Sequence, residues 1–198
     1  MRFGHEGTIP GVSTPLTPER FRHPARLRNG TPVLIRAIRP DDRQRIIDAF
    51  RKLDQETIYT RFFSAKKELT EADLARIDAS DFVHAAALVA TLGEGDEEII
   101  IGAGGYTVLD RPGEPPTAEV SFTIEEDYQG QGLSGLFMRL LTQIARERGL
   151  VRFEAEVLAG NTAMLKVFQR SGLPMQRHTE DGVVHVVMAL DAAAPPGR

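Results

Sequence analysis

Gly130, Gly132 and Gly135 fall within six consecutive positions, between an alternating stretch, AEVSFTI, and a helical-period stretch, LSGLFMRLLTQIARERG. Glycines at such a junction let backbone N–H groups converge on one point, and the positive end of the following helix adds to the same field. The chemistry on offer is anion binding, with phosphate as the natural ligand. The glycines satisfy G-x-G-x-x-G, and Glu154 and Glu156 follow about twenty residues later, where a dinucleotide fold places its ribose-binding acid. Three features oppose a dinucleotide: EEDYQ separates the strand from the first glycine, the preceding hairpin reads as antiparallel, and too little chain follows for the remaining parallel strands. In IIIGAGGY, Gly102, Ala103 and Gly104 form a second such run, but Thr107 holds the third glycine position and a strand continues through it.

The elements around the turn follow from periodicity. Ala118, Val120, Phe122 and Ile124 alternate with Glu119, Ser121 and Thr123, which predicts a strand with one apolar side. Leu133, Leu136, Phe137, Leu140, Leu141, Ile144 and Ala145 predict an amphipathic helix stopped at Gly149. Upstream, Asn29 and Gly30 make a turn into a strand bearing Val33, Ile35 and Ala37; Asp41 and Asp42 open a helix carrying Ile46, Ile47, Phe50 and Leu53. A short helix over Glu56 to Phe63 and one capped by Thr70, with Asp73 completing a capping box, come next. HAAALVATLG and EEIIIGAGGYTVL read as a hairpin. Downstream come the strand RFEAEVLA, a helix capped by Asn161 and stopped by Gly172, and strands near 175–179 and 183–190. The fold class is a single α/β domain, a mixed, mostly antiparallel central sheet flanked by helices, over residues 25–191. Residues 1–24, rich in glycine and proline, are expected to form a flexible arm, and residues 192–198 a flexible tail.

The chain has 198 residues and a net charge of −4, with Lys and Arg dispersed, which argues against a nucleic-acid partner. No apolar run is long enough to span a membrane, and MRFGHEGTIP lacks a secretory apolar segment, so the expected location is the cytoplasm. The absence of cysteine excludes thiolate nucleophiles and ligands, and His5, His23, His84, His178 and His185 lack metal-ligand spacing, so no metal is expected.

The turn also satisfies [QR]-x-x-G-x-[GA] through Gln129 and Gly132, with Ser134 where glycine or alanine is usual. With Asn161 followed by Gly172 and Leu173, it makes the chain resemble the GNAT N-acetyltransferases in element order from Leu27 to Leu190. RNGTPVLIRAIRPDD followed by ETIYTRFF resembles the protein-lysine branch that acetylates acyl-CoA synthetases. The resemblance implies acetyl-CoA as donor. Its pyrophosphate would sit on the backbone amides of Gln129, Gly130, Gln131, Gly132, Leu133, Ser134 and Gly135, with the Gln131 and Leu133 side chains replaceable. Ile124 would pair with the pantetheine amide, and Asn161 would contact the cofactor arm.

It further implies that Glu119 is the general base for a lysine amine. Phe168 stands where many members carry a proton-donating tyrosine, which fits a protein-lysine acceptor better than a small amine. Tyr106 and Tyr128 are assigned to packing. The resemblance also implies that the segment with Arg61, Phe62 and Phe63 borders the acceptor side, although the two phenylalanines are expected in the core, and Glu125, Glu126 and Asp127 are expected to form a solvated acidic loop. Acetylation of a small amine or antibiotic, and acyl-CoA sensing without turnover, remain alternatives. Oligomeric state is not legible.

Overall fold

The computed structural model describes residues 16–78 and 80–190. The first fifteen positions of the expected arm, and the expected tail, lie outside the described residues. In chain order the elements are β1 (Arg22–Arg26), β2 (Pro32–Ala37), α1 (Arg43–Lys52), α2 (Gln55–Phe62), α3 (Glu71–Asp78), β3 (Ala85–Leu92), β4 (Ile99–Leu109), β5 (Thr117–Ile124), α4 (Leu133–Glu147), β6 (Arg152–Leu158), α5 (Thr162–Arg170), β7 (Met175–Glu180) and β8 (Val183–Ala189).

Among the described residues the strands form one sheet in the order β1-β2-β3-β4-β5-β6-β8-β7, antiparallel throughout except where β5 lies parallel to β6. The expected arm is corrected over its last residues. Phe21 is buried, edge to face with Phe82 at 5.6 Å, and Arg22–Arg26 pairs with β2 as an edge strand. Pro24 fits within it because an edge position leaves one side of the backbone without a ladder to satisfy.

α4 is the central packing element. Leu133, Phe137, Leu141 and Ile144 are buried against the sheet, and Phe137 stacks on Phe122 with centroids 6.4 Å apart. The second glycine run serves this contact. A Cβ on Gly104 would come within 2.8 Å of Phe122 and 2.9 Å of Phe137, and one on Gly105 within 2.6 Å of the Ala86 carbonyl. These glycines let helix and neighbouring strand approach, and they lie inside β4.

On the other side of the sheet the β2 residue Arg36, of alternating polar position, is fully buried. Its guanidinium donates to both oxygens of Asp42, at 2.6 and 2.7 Å, and to Glu98. Asp42 opens α1 as expected, and it is also one half of a buried ion pair. Burial alone would raise its carboxyl, and the hydrogen bonds from Arg36 and the Arg39 N–H outweigh that and lower it. The Thr70–Asp73 capping box forms as expected, with the Thr70 N–H donating to Asp73 Oδ2 at 2.7 Å and the Asp73 N–H to Thr70 Oγ1 at 3.3 Å. No helix among the described residues is long and apolar enough to cross a membrane.

Candidate active site

The parallel pairing of β5 with β6 is short: Thr117, Ala118 and Glu119 lie beside Arg152, Phe153 and Glu154, and pairing stops there. Beyond it the two strands diverge. Among the described residues, the β6-facing edge of Val120–Ile124 and the β5-facing edge of Ala155–Leu158 have no strand partner, so an extended ligand can add between them as a strand would. The wedge opens into a cleft of about 1540 Å³, lined by β5, the glycine turn, α4, β6, α5 and α2. That exceeds the roughly 300–1,000 Å³ of an ordinary small-molecule pocket, so a large donor and part of an acceptor fit together.

The turn that closes the wedge has left-handed backbone at Gly130, φ +69°, and Gly132, φ +96°. Only glycine enters that region without strain. Gly132 caps α4, and the first intrahelical bond runs from the Leu136 N–H to its carbonyl at 3.1 Å. The N–H groups of Leu133, Ser134 and Gly135 precede that bond and are the open donors of the helix start. From outside, Arg28 braces the turn: its Nη1 donates to the Gly130 carbonyl at 2.9 Å, and its N–H to the Gln131 carbonyl at 3.2 Å.

Three turn residues differ from expectation. The Gln129 N–H donates to the Glu126 carbonyl at 3.1 Å, which removes it from the donor set. The Gln129 side chain instead bridges elements, donating to the Ile124 carbonyl at 3.1 Å and to Thr57 Oγ1 at 3.2 Å. Gln131 does not line the cleft; its Oε1 accepts from the Asn29 N–H at 3.2 Å. The Leu133 side chain is 2% exposed and belongs to the core, so it is not freely replaceable.

Glu119, Ile124, Gln129, Gly130, Gly132, Leu133, Ser134, Gly135 and Asn161 are all brought to this one cleft. Glu119 is exposed, at the last paired position before the strands diverge. Its neighbour Glu154 is held by Arg111 Nη1 at 3.0 Å. Asn161 caps α5, its Oδ1 accepting from the Met164 N–H at 3.1 Å, which leaves its amide nitrogen free of that role. Phe168 is buried against Phe122 at 6.1 Å.

Tyr106 and Tyr128 pack as expected. Tyr106 is buried on Phe153 at 5.6 Å, where burial pushes its phenol up to about 12, and Tyr128 is half-buried against the core. Phe62 and Phe63 separate. Phe62 is half-buried, edge to face with Phe50 at 5.9 Å, whereas Phe63 is exposed in the cleft, so neither joins the buried core as expected. The acidic loop is less solvated than expected. Burial raises the Glu125 carboxyl, and Glu126 Oε1 accepts from the Asp54 N–H at 3.1 Å. The α4–α5 wall adds Arg146, which the sequence places in the basic last turn of the helix, and Arg139, Lys166 and Arg170, which no motif singles out, although Lys166 and Arg170 stand at the i, i+4 spacing of one helix face.

A family model described as acetyltransferase (GNAT) domain matches residues 33–174. The chain belongs to the GNAT acetyltransferase family. As a GNAT enzyme it is an acetyl-CoA-dependent acyltransferase, and its cleft suits that donor, with open helix-start N–H groups for phosphate and a splayed strand pair for an extended arm. It is 32% identical over 161 residues to acetyltransferase PA5475 of Pseudomonas aeruginosa, covering 80% of this chain and 85% of that protein. It is 34% identical over 150 residues to acetyltransferase Pat of Mycolicibacterium smegmatis, covering 75% of this chain and 43% of that longer protein. The crystal structure of the GNAT domain of S. lividans PAT superposes with a TM-score of 0.76 at 33% identity, covering 85% of this chain and 96% of that domain.

Proposed function

We propose that this GNAT domain moves the acetyl group of acetyl-CoA to the ε-amine of a protein lysine, with an acyl-CoA synthetase as the acceptor protein and Glu119 as the base. The observation that carries this reading is the placement of Glu119 where β5 and β6 part, in the same cleft as the opening of α4. The likeness to the Pat proteins of two organisms and the phenylalanine at position 168 support a protein acceptor. A cytoplasmic setting, where acyl-CoA thioesters and their synthetases meet, goes with it.

A lysine ammonium has an ordinary pKa of about 10.4, so neutralising it at pH 7 costs roughly 4–5 kcal/mol. A positioned base returns about 10² to 10⁴ in rate. Glu119 takes one proton from the ammonium, directly or through one water; the freed nitrogen bonds to the acetyl carbon, and as the carbon–sulfur bond breaks the second nitrogen proton passes to water or to the departing sulfur, leaving a neutral amide. The buried ring of Phe168 has no proton to give. The departing thiolate, of ordinary pKa about 8.5, needs little help at neutral pH. The N–H groups of Leu133, Ser134 and Gly135 hold pyrophosphate, the edge of Val120–Ile124 receives the pantetheine arm, and the Asn161 amide nitrogen faces it.

The test incubates the protein with acetyl-CoA and either an acyl-CoA synthetase or a panel of small amines, following thiol release and acceptor mass. Release that depends on the synthetase, with acetate on a lysine, is the expected result. Release with small amines alone, or binding without release, overturns the reading. Glu119→Gln is expected to keep acetyl-CoA affinity and lose about 10²-fold or more in turnover; unchanged turnover from pH 6 to 9 would remove Glu119 from the role.

A further inference from the structure

Glu56 and Tyr59 on α2 and Phe63 at its C-cap follow one another at i, i+3 and i+7, and all three line the cleft. Two of them are large apolar side chains left in solvent, Tyr59 at 49% and Phe63 at 38% exposure. The backbone sets this up. Phe63 closes α2 with φ +53°, a left-handed conformation that bulky residues rarely adopt, and the reversal turns its ring outward while Phe62 stays packed on Phe50. Strain of that kind gathers at sites of function. α2 is also tied to the donor turn at two points, the Asp54 N–H donating to Glu126 and Thr57 Oγ1 accepting from the Gln129 amide, so the aromatic stripe stands at a defined distance from the wedge.

The cleft is divided in charge. Its α2–β5 wall carries Asp54, Glu56 and Glu119 with Arg61, whereas its α4–α5 wall carries Arg139, Arg146, Lys166 and Arg170 with Glu147. The basic wall suits the phosphates of the donor. The acidic wall, with exposed rings on it, suits a cation on an aliphatic stem. The geometry points to Tyr59, Phe63 and Glu56 as the acceptor wall of this enzyme: the methylene stem of the acceptor lysine lies along the two rings, and Glu56 receives a basic residue beside it. The occupant is a basic, lysine-bearing protein segment. Long cationic side chains bury their stems on apolar surface while the charge stays polar-solvated, and an aromatic face adds attraction for the cation. This inference rests on the protein-lysine reading above.

The experiment measures steady-state transfer from acetyl-CoA to three short peptides, each with one lysine flanked by arginines, glycines or glutamates. Wild type is compared with Tyr59→Ala, Phe63→Ala, Phe63→Leu and Glu56→Gln, and acetyl-CoA binding to each is followed by calorimetry. Wild type is expected to favour the arginine-flanked peptide, with a KM several-fold below that of the glutamate-flanked one, and Glu56→Gln to narrow that gap. Tyr59→Ala and Phe63→Ala are expected to raise the peptide KM by roughly fivefold or more, the loss usual for truncating a contacting aromatic, with acetyl-CoA affinity within about twofold of wild type. Phe63→Leu, which keeps apolar area, should recover most of that loss. Peptide KM values unchanged in both alanine variants, or a wild type indifferent to the flanks, would overturn the wall while leaving lysine transfer standing. Transfer to small amines but to none of the peptides would overturn both. Loss of acetyl-CoA binding in both alanine variants and in Phe63→Leu would make the stripe a folding element and overturn the proposal.

Discussion

The side-chain amide of Gln129 donates to the carbonyl oxygen of Ile124 at 3.1 Å, across the mouth of the wedge between β5 and β6. The carbonyl proposed to receive the pantetheine amide is thus held by the protein itself, and Gln129 shares its second donor with Thr57 on α2. If the backbone rather than this side chain binds the donor, Gln129→Met is expected to leave the acetyl-CoA dissociation constant within about threefold of wild type. It should cost roughly 1–2 kcal/mol in urea-denaturation stability for two lost hydrogen bonds. A loss of affinity beyond tenfold in calorimetry would show that the side chain itself contacts the donor.

At Gly132 space and conformation can be separated. A Cβ there would meet only Arg28, at 3.8 Å, an ordinary contact, but its φ of +96° excludes other residues. Gly132→Val and Gly132→Asp are expected to abolish acetyl-CoA binding by calorimetry, because the turn must abandon the conformation that points the α4 donors into the cleft. The circular dichroism of the domain should persist. Tight binding in either variant would contradict the backbone cradle.

The Thr70–Asp73 cap carries a pH dependence. Burial alone would raise the Asp73 carboxyl, but hydrogen bonds from Lys66 and Thr70 outweigh it and hold it at about 2, against an ordinary 3.8. A carboxyl lowered by folding contributes stability that is present above its unfolded pKa and is lost as pH falls through the folded one. The contribution is about 2 kcal/mol at pH 7, disappearing between about pH 4 and pH 2. Asp73→Asn is expected to destabilise by that order at pH 7 in urea titrations and to match wild type at pH 2. An equal deficit at both pH values would refute the linkage.

Arg36 and Asp42 are respectively 1% and 0% exposed, so the cost of breaking the pair is set by the charge left behind. Asp42→Ala is expected to lose about 3–5 kcal/mol, the penalty for an uncompensated buried ion. In a Glu98→Gln background, Arg36→Met with Asp42→Leu should lose much less, since all three charges of the cluster then leave together. Comparable losses in chemical denaturation for the single and combined variants would contradict that account.

Much of the fold was legible because its signals are local. The start and stop of α4 at Gly132 and Gly149, the Thr70–Asp73 box and the Asn161 cap each depend on residues a few positions apart, and periods of two and near four separate strand from helix within one short window. Family membership was legible for the same reason, since Gln129, Gly132 and their spacing from β5 are contiguous in the chain. The placement of Glu119 on the polar side of its strand followed from alternation alone.

The tertiary structure decided what depends on distant partners. β1 carries a proline and no strong apolar alternation, and it exists because β2 offers it a ladder. Arg36 reads as a surface residue until Asp42 and Glu98 arrive beside it from two other elements. Gln129 reads as a ligand-binding residue until the Glu126, Ile124 and Thr57 partners absorb its donors. Nor does any window of sequence state that β5 and β6 pair over three residues and then part. That divergence is a property of two strands separated by α4, and it is what converts a glycine turn and a strand carboxylate into one cleft.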